Sequence, residues 1–198
     1  MVTAPTVGVL ALQGGVAEHT AMLTGLGARV VPVRTEGALR SSSLDGLVLP
    51  GGESSTVDRL LRRFGMRESL REMLGNGLPV LGTCAGMILL AEQIVDPAPA
   101  QESLGVLPVT VRRNAFGRQL DSATEVLESV FGPVSAAFIR APEVICADDG
   151  VQVLARRGTS PDGEGPVVAV GKGPAMALSF HPELTGDTTF HRGFLSRL

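Results

Sequence analysis

Gly82-Thr83-Cys84-Ala85-Gly86 sets a cysteine between two glycines where the apolar run Pro79–Gly82 gives way to a second one, Met87–Gln93. A G-x-C-x-G at such a strand-to-helix junction has the form of a nucleophile elbow with sulfur in place of oxygen. The nucleophile of an elbow sits on a strained turn that only small neighbours permit. Gly82 and Gly86 would let strand and helix approach while Cys84 projects above the sheet. The N–H groups opening the following helix then point at the sulfur and favour thiolate over thiol. The pentapeptide alone fits equally well a small buried cysteine at a tight turn. A thiol nucleophile needs a base.

His181, in Ser179-Phe180-His181-Pro182-Glu183, is the candidate base. It follows the apolar run Ala175–Phe180 and so stands at a strand's end, where ligands gather in open α/β sheets. Pro182 fixes the backbone, and Glu183 is near enough to hydrogen-bond one imidazole nitrogen and leave the other facing the thiol. In isolation His-Pro-Glu reads as a surface turn; the cysteine elbow and the histidine each strengthen the chemical reading of the other. A thioester route also needs donors for a developing oxyanion. The N–H of Ala85 is one, and the glycine turn Pro50-Gly51-Gly52-Glu53-Ser54 can bring a second, that of Gly52. Ser54 or Ser55 also reads as the cap of the next helix. His19 and His191 read as surface residues on helices, and three histidines without a Cys or Asp cluster imply no metal site. Cys146, in the mixed apolar and acidic stretch Val144–Asp149, reads as structural.

The elements that must position these groups alternate along the first half. Thr6–Leu12 reads as a strand ending at Gln13-Gly14-Gly15, Val16–Leu26 as a helix, and Ala28–Val33 and Leu44–Leu49 as strands. Val57–Phe64 and Arg67–Leu74 read as helices, Pro79–Gly82 as a strand and Met87–Gln93 as a helix. Strands that are apolar throughout and alternate with helices indicate a parallel sheet covered on both faces. Beyond Asp96 the texture becomes strand-rich: Val109–Arg113, Phe138–Arg140, Gln152–Arg157, Val167–Val170 and Ala175–Phe180. The Gly171-Lys172-Gly173 turn joins the last two and implies an antiparallel portion. Thr159–Gly165 is loop, and Thr188–Leu198 reads as a terminal helix.

Composition excludes several classes. The chain has 198 residues, 44% hydrophobic and 19% charged, enough apolar side chain for one sizeable core and too little charge for disorder. Its net charge of −3 with scattered basic residues, and the absence of Trp and Tyr, argue against nucleic acid as a partner. No apolar run reaches the ~18 residues of a membrane span. Two cysteines without a secretory start favour the cytoplasm over an oxidising compartment.

The G-T-C-A-G elbow, the upstream P-G-G-E-S and the downstream H-P-E together resemble the class I, triad-type glutamine amidotransferases. Arg113–Gln119 (RNAFGRQ), Phe138–Pro142 (FIRAP), Ser179–Thr185 (SFHPELT), Gln13-Gly14 and Glu18-His19 narrow the resemblance to the glutaminase subunits of pyridoxal 5′-phosphate synthase. It extends over essentially the whole chain and implies one flavodoxin-like, three-layer α/β domain over residues 1–198, its mostly parallel sheet extended by an antiparallel C-terminal portion. It implies hydrolysis of L-glutamine to glutamate and ammonia without a cofactor, and ammonia transfer to a (β/α)8-barrel synthase subunit in a large hetero-oligomer. By the same resemblance Cys84, His181 and Glu183 form the triad. Gly52, Glu53, Ser54, Arg113, Ile139 and Arg140 hold glutamine, with Arg113 suited to its carboxylate. Gln13, Glu18 and His19 would lie on the docking surface. Ala115 replaces a serine common in the RNSFGRQ stretch, and the loops Pro97–Glu102 and Ser160–Gly165 have no implied role. A cysteine peptidase or γ-glutamyl hydrolase on a similar elbow is the competing enzyme reading. A non-catalytic binding module is the other, but it would be expected to have lost one of the three triad residues.

Overall fold

The computed structural model describes residues 3–115, 123–158 and 164–198. The first half alternates: β1 (Thr6–Leu10), α1 (Val16–Gly25), β2 (Arg29–Val33), α2 (Glu36–Ser41), β3 (Gly46–Leu49), α3 (Ser54–Arg63), α4 (Arg67–Gly75), β4 (Val80–Thr83) and α5 (Ala85–Leu90). The second half is strand-rich: β5 (Ala91–Val95), β6 (Leu107–Arg112), β7 (Ala123–Leu127), β8 (Val134–Phe138), β9 (Glu143–Ala147), β10 (Gln152–Arg156), β11 (Val167–Lys172) and β12 (Ala175–Leu178). Two short helices close it, α6 (Pro182–Thr185) and α7 (Thr189–Leu195).

One sheet runs β2-β1-β3-β4-β12-β11-β9-β6-β5, with β10 also on β11, and β7 and β8 form a separate pair. The strands from β2 to β12 are parallel, whereas β11, β9 and β6 continue antiparallel. The sheet is thus mixed as expected, and its 2-1-3-4 order is that of flavodoxin-like folds, which bind ligands beyond the carboxyl ends of the strands. Successive side chains point to opposite faces of a strand, so a strand covered on both sides must be apolar at every position. In β3, Leu47 and Leu49 enter the core beneath α3, α4 and α5 while Val48 faces the core that holds Phe190 and Phe194 of α7. In β12, Ala177 takes the first side, and Met176 and Leu178 the second.

The apolar run read as a helix over Met87–Gln93 divides. The helix stops at Leu90, and Ala91–Val95 becomes β5, parallel to β6. All of α5 is buried, so no polar face in the sequence marks its end. Phe138–Arg140 is likewise not a strand: β8 ends at Phe138 because Arg140 turns the chain with φ 45°. Helix α2, missed in the sequence, is short; Thr35 caps it by accepting a hydrogen bond from the Ala38 N–H at 3.1 Å. Cys146 lies exposed on β9. Among the described residues no helix is long and apolar enough to cross a membrane.

Candidate active site

Cys84 occupies the turn between β4 and α5 with φ 47° and ψ −98°, a strained conformation that costs about 1–3 kcal/mol and persists only where its surroundings fix it. Its N–H donates to the Leu178 carbonyl of β12 at 2.7 Å. A Cβ on Gly86 would lie 2.2 Å from the Leu49 carbonyl oxygen, and one on Gly82 2.7 Å from the Gly86 carbonyl carbon. Strand and helix approach so closely that both positions require glycine. Cys84 is 6% exposed, and its Sγ lies 4.0 Å from the Ile139 carbonyl oxygen.

The candidate base comes from the neighbouring strand. His181 follows β12, its backbone N–H donating to the Ala137 carbonyl of β8 at 2.9 Å. Its Nδ1 lies 2.7 Å from Glu183 Oε1, which leaves Nε2 for the sulfur. Burial opposes a charge on the imidazole, but hydrogen bonds and charge interactions with Cys84 and Glu183 outweigh it, and the His181 pKa is pushed up to about 10. Burial opposes ionisation of Glu183 as well; the His181 hydrogen bond and the neighbouring imidazoles overcome this and hold its carboxyl below the usual range.

A cleft of about 350 Å³ opens over these groups. Cys84, His181 and Glu183 line it together with Gly52, Glu53, Ser54, Arg113, Ile139 and Arg140. Five segments at strand ends bring them there, after β3, β4, β6, β8 and β12. Asn114 and Arg140 both have positive φ, 51° and 45°, and their turns are tied by a hydrogen bond from the Ala115 N–H to the Ala141 carbonyl at 3.0 Å. Phe116 to Gln119, the remainder of the RNAFGRQ stretch, lie outside the described residues, as does most of Ser160–Gly165.

The serines expected to cap α3 do not. Glu53 is the N-cap: its carboxylate accepts from the Ser55 N–H at 3.3 Å and from the Ser55 hydroxyl at 3.0 Å, and also takes Arg113 Nη2 at 3.0 Å. Ser54 instead lies in the first turn, its hydroxyl held at 2.9 Å by Nε2 of Gln101 from the loop Pro97–Glu102. In the glycine loop the Gly51 N–H donates to Thr83 Oγ1 at 3.0 Å and the Glu53 N–H to Gln13 Oε1 at 2.7 Å, leaving the Gly52 amide between them. Ala85 is fully buried at the start of α5.

His19 and His191, read as surface residues, are both fully buried. His191 Nε2 lies 2.9 Å from His19 Nδ1, and His19 Nε2 lies 3.0 Å from Thr83 Oγ1 and 3.5 Å from Glu183 Oε1. Burial holds the His19 pKa below its ordinary value and pushes that of His191 down to about 3. The signal was in the helical spacing. His19 and Leu23 are one turn apart and are the buried residues of α1; His191 sits between Phe190 and Phe194 on the buried stripe of α7. Gln13 and Glu18 are exposed at the rim, so of the three residues expected on a docking surface only His19 departs.

The fold, with its cysteine elbow above the parallel strands, is that of the class I glutamine amidotransferases. Within that class the chain belongs to the SNO glutamine amidotransferase family, whose model matches residues 9–198. It is 58% identical over 197 residues to the pyridoxal 5′-phosphate synthase subunit PdxT of Kineococcus radiotolerans, covering 97% of this chain and 94% of the relative. Against the PdxT of a Parafrankia species the identity is 55% over 196 residues, covering 98% and 93%. A solved structure described as a glutamine amidotransferase superimposes with a TM-score of 0.86 at 46% identity, over 96% of this chain and 97% of the other. The PurLQS structure from Thermotoga maritima shares the fold, with a TM-score of 0.70 at 15% identity over 98% and 99% of the two chains.

Proposed function

We propose that the chain is the glutaminase subunit of a pyridoxal 5′-phosphate synthase and hydrolyses L-glutamine through a thioester on Cys84, residues 1–198 forming one glutaminase domain. The observation that carries the chemistry is the imidazole of His181, held by Glu183 at 2.7 Å and turned to a cysteine on a strained elbow. The names of the relatives support the assignment to vitamin B6 synthesis.

His181 takes the Cys84 proton, and the thiolate attacks the side-chain amide carbon of glutamine. The oxyanion is met by the N–H groups of Gly52 and Ala85. His181 gives its proton to the departing nitrogen, releasing ammonia and leaving a glutamyl thioester. The neutral imidazole then takes a proton from water, the resulting hydroxide adds to the thioester carbon, and collapse expels the thiolate and glutamate. Arg113 takes the substrate α-carboxylate, Glu53 beside it suits the α-ammonium group, and Ser54, Ile139 and Arg140 close the cleft around the chain.

The ammonia passes to a (β/α)8-barrel synthase subunit, in a large hetero-oligomer in the cytoplasm. A glutaminase that ran without its acceptor would waste glutamine, so the glycine loop becomes productive when the barrel docks over Gln13 and Glu18. Glutamate release from L-glutamine, measured alone and with a barrel subunit, tests this. Stimulation by the barrel is expected. Equal rates would remove the partner's role and favour a free-standing hydrolase, and no release in either case would reject glutamine hydrolysis.

A further inference from the structure

Behind the triad lies a buried polar chain that the mechanism above does not use: His191, His19 and Thr83, ending on Glu183 and the Gly51 amide. Its geometry fixes its protons. Thr83 Oγ1 accepts the Gly51 N–H at 3.0 Å, and His19 Nε2 faces both that oxygen and Glu183 Oε1. A lone pair on His19 Nε2 would point at a carboxylate 3.5 Å away, an unfavourable contact in a site with no exposure. Nε2 therefore carries hydrogen, and Nδ1 accepts from Nε2–H of His191 at 2.9 Å. His191 Nδ1 is then an unprotonated acceptor, and it is indeed one of two buried side-chain atoms without a hydrogen-bond partner among the described residues. An unmet lone pair is the cheaper orphan, because the opposite tautomer would bury an unmet N–H in the same place.

We propose that His19 is a positioning residue: its neutral imidazole donates from Nε2 to Thr83, which holds the Gly51 end of the glycine loop, and turns the same N–H dipole towards Glu183 Oε1 3.5 Å away, keeping both in one register. The carboxylate that orients the base and the loop that supplies the oxyanion donor then share a single anchor. His191 selects the tautomer. The charged and titratable neighbours of His19 are His191 on α7, Glu183 on α6, His181 before it and Glu18 on α1; burial keeps His19 neutral among them, so it offers Glu183 an N–H dipole rather than a charge. The inference rests on the glutaminase reading for its effect on rate and on geometry alone for its tautomer.

The test compares His19→Leu with His19→Gln in glutamate release with the barrel subunit present. Glutamine is the conservative variant because its amide nitrogen reaches the place of Nε2, whereas leucine fills the volume without a donor. For His19→Leu, kcat is expected to fall at least about tenfold, within the ~100-fold that a misplacement of ~1 Å costs, with KM changed less than about threefold. His19→Gln should recover most of the loss. A folded leucine variant with unchanged kcat, or a glutamine variant no better than leucine, overturns the proposal. Nitrogen-15 spectra of the unsubstituted protein decide the matter if the variants do not fold: the proton is expected on Nε2 of both His19 and His191, and a proton on Nδ1 of His19 would refute the arrangement. A wild-type protein that released no glutamate would sink the glutaminase reading while leaving the tautomer measurable.

Discussion

Gly51 lies against the imidazole of His181 so closely that a methyl group on it would sit 2.2 Å from Cε1 and 2.8 Å from Nδ1. The glycine loop thus forms a wall of the base's pocket as well as a source of amides. Gly51→Ala should push the ring off the Cys84–Glu183 line. Turnover is expected to fall about 100-fold, the scale of a misplacement of ~1 Å, with glutamine still bound; calorimetric titration beside steady-state rates separates the two effects.

Cys84→Ser keeps the volume of the elbow and removes the thiolate. Glutamate release should drop by more than about a thousandfold with the unfolding midpoint nearly unchanged. In the unsubstituted protein a thiol-reactive glutamine analogue should label Cys84, with protection by glutamine, and leave the exposed Cys146 unmodified. Labelling at Cys146 alone would contradict the nucleophile assigned.

Glu183→Gln takes away one of the groups that raise the His181 pKa. A raised histidine pKa adds stability that is complete below 6.5, the ordinary value, and is lost as pH climbs towards about 10. The variant should therefore lose stability near neutral pH and show a shallower decline above it. Turnover is expected to fall about 100- to 10,000-fold. Urea midpoints between pH 6 and 10 check the first point, and initial rates the second.

His191 has the opposite sign. Its pKa lies near 3 in the folded protein, so the unfolded chain binds the extra proton first and stability falls as pH drops from 6.5 towards 3. His191→Phe should flatten this limb of the stability curve. Unfolding midpoints measured across that window would show an unaltered slope if His191 were not the titrating group.

Arg113 approaches Glu53 at 3.0 Å, and glutamine would take its place between them. Arg113→Ala is expected to raise KM by about tenfold or more, the value of one charge-assisted pair, with a smaller change in kcat. A change confined to kcat would move Arg113 out of substrate binding.

Residues with a local signature were legible in the sequence. Cys84 is marked by its glycines, His181 by the strand before it and the proline after it, and the parallel half of the sheet by strands that are apolar at every position. What escaped depends on contacts between distant segments. The Arg113–Glu53 ion pair joins residues 60 apart along the chain. His19 and His191 looked like polar residues on helices because each helix is short, and a histidine on the buried stripe has the same letter as one on the wet side. The division of Met87–Val95 into helix and strand is set by the partner strand β6 rather than by the run itself.

The proposed nucleophile and its base follow adjacent parallel strands, Thr83 paired with Leu178, although nearly a hundred residues separate Cys84 from His181 along the chain. A contact across this separation carries a loop-closure cost that must be met before its contacts are gained. A ribosome delivering the chain N-terminus first exposes the thiol well before β12 has emerged. During that interval Cys84 has no His181 beside it, and the proposed triad is incomplete.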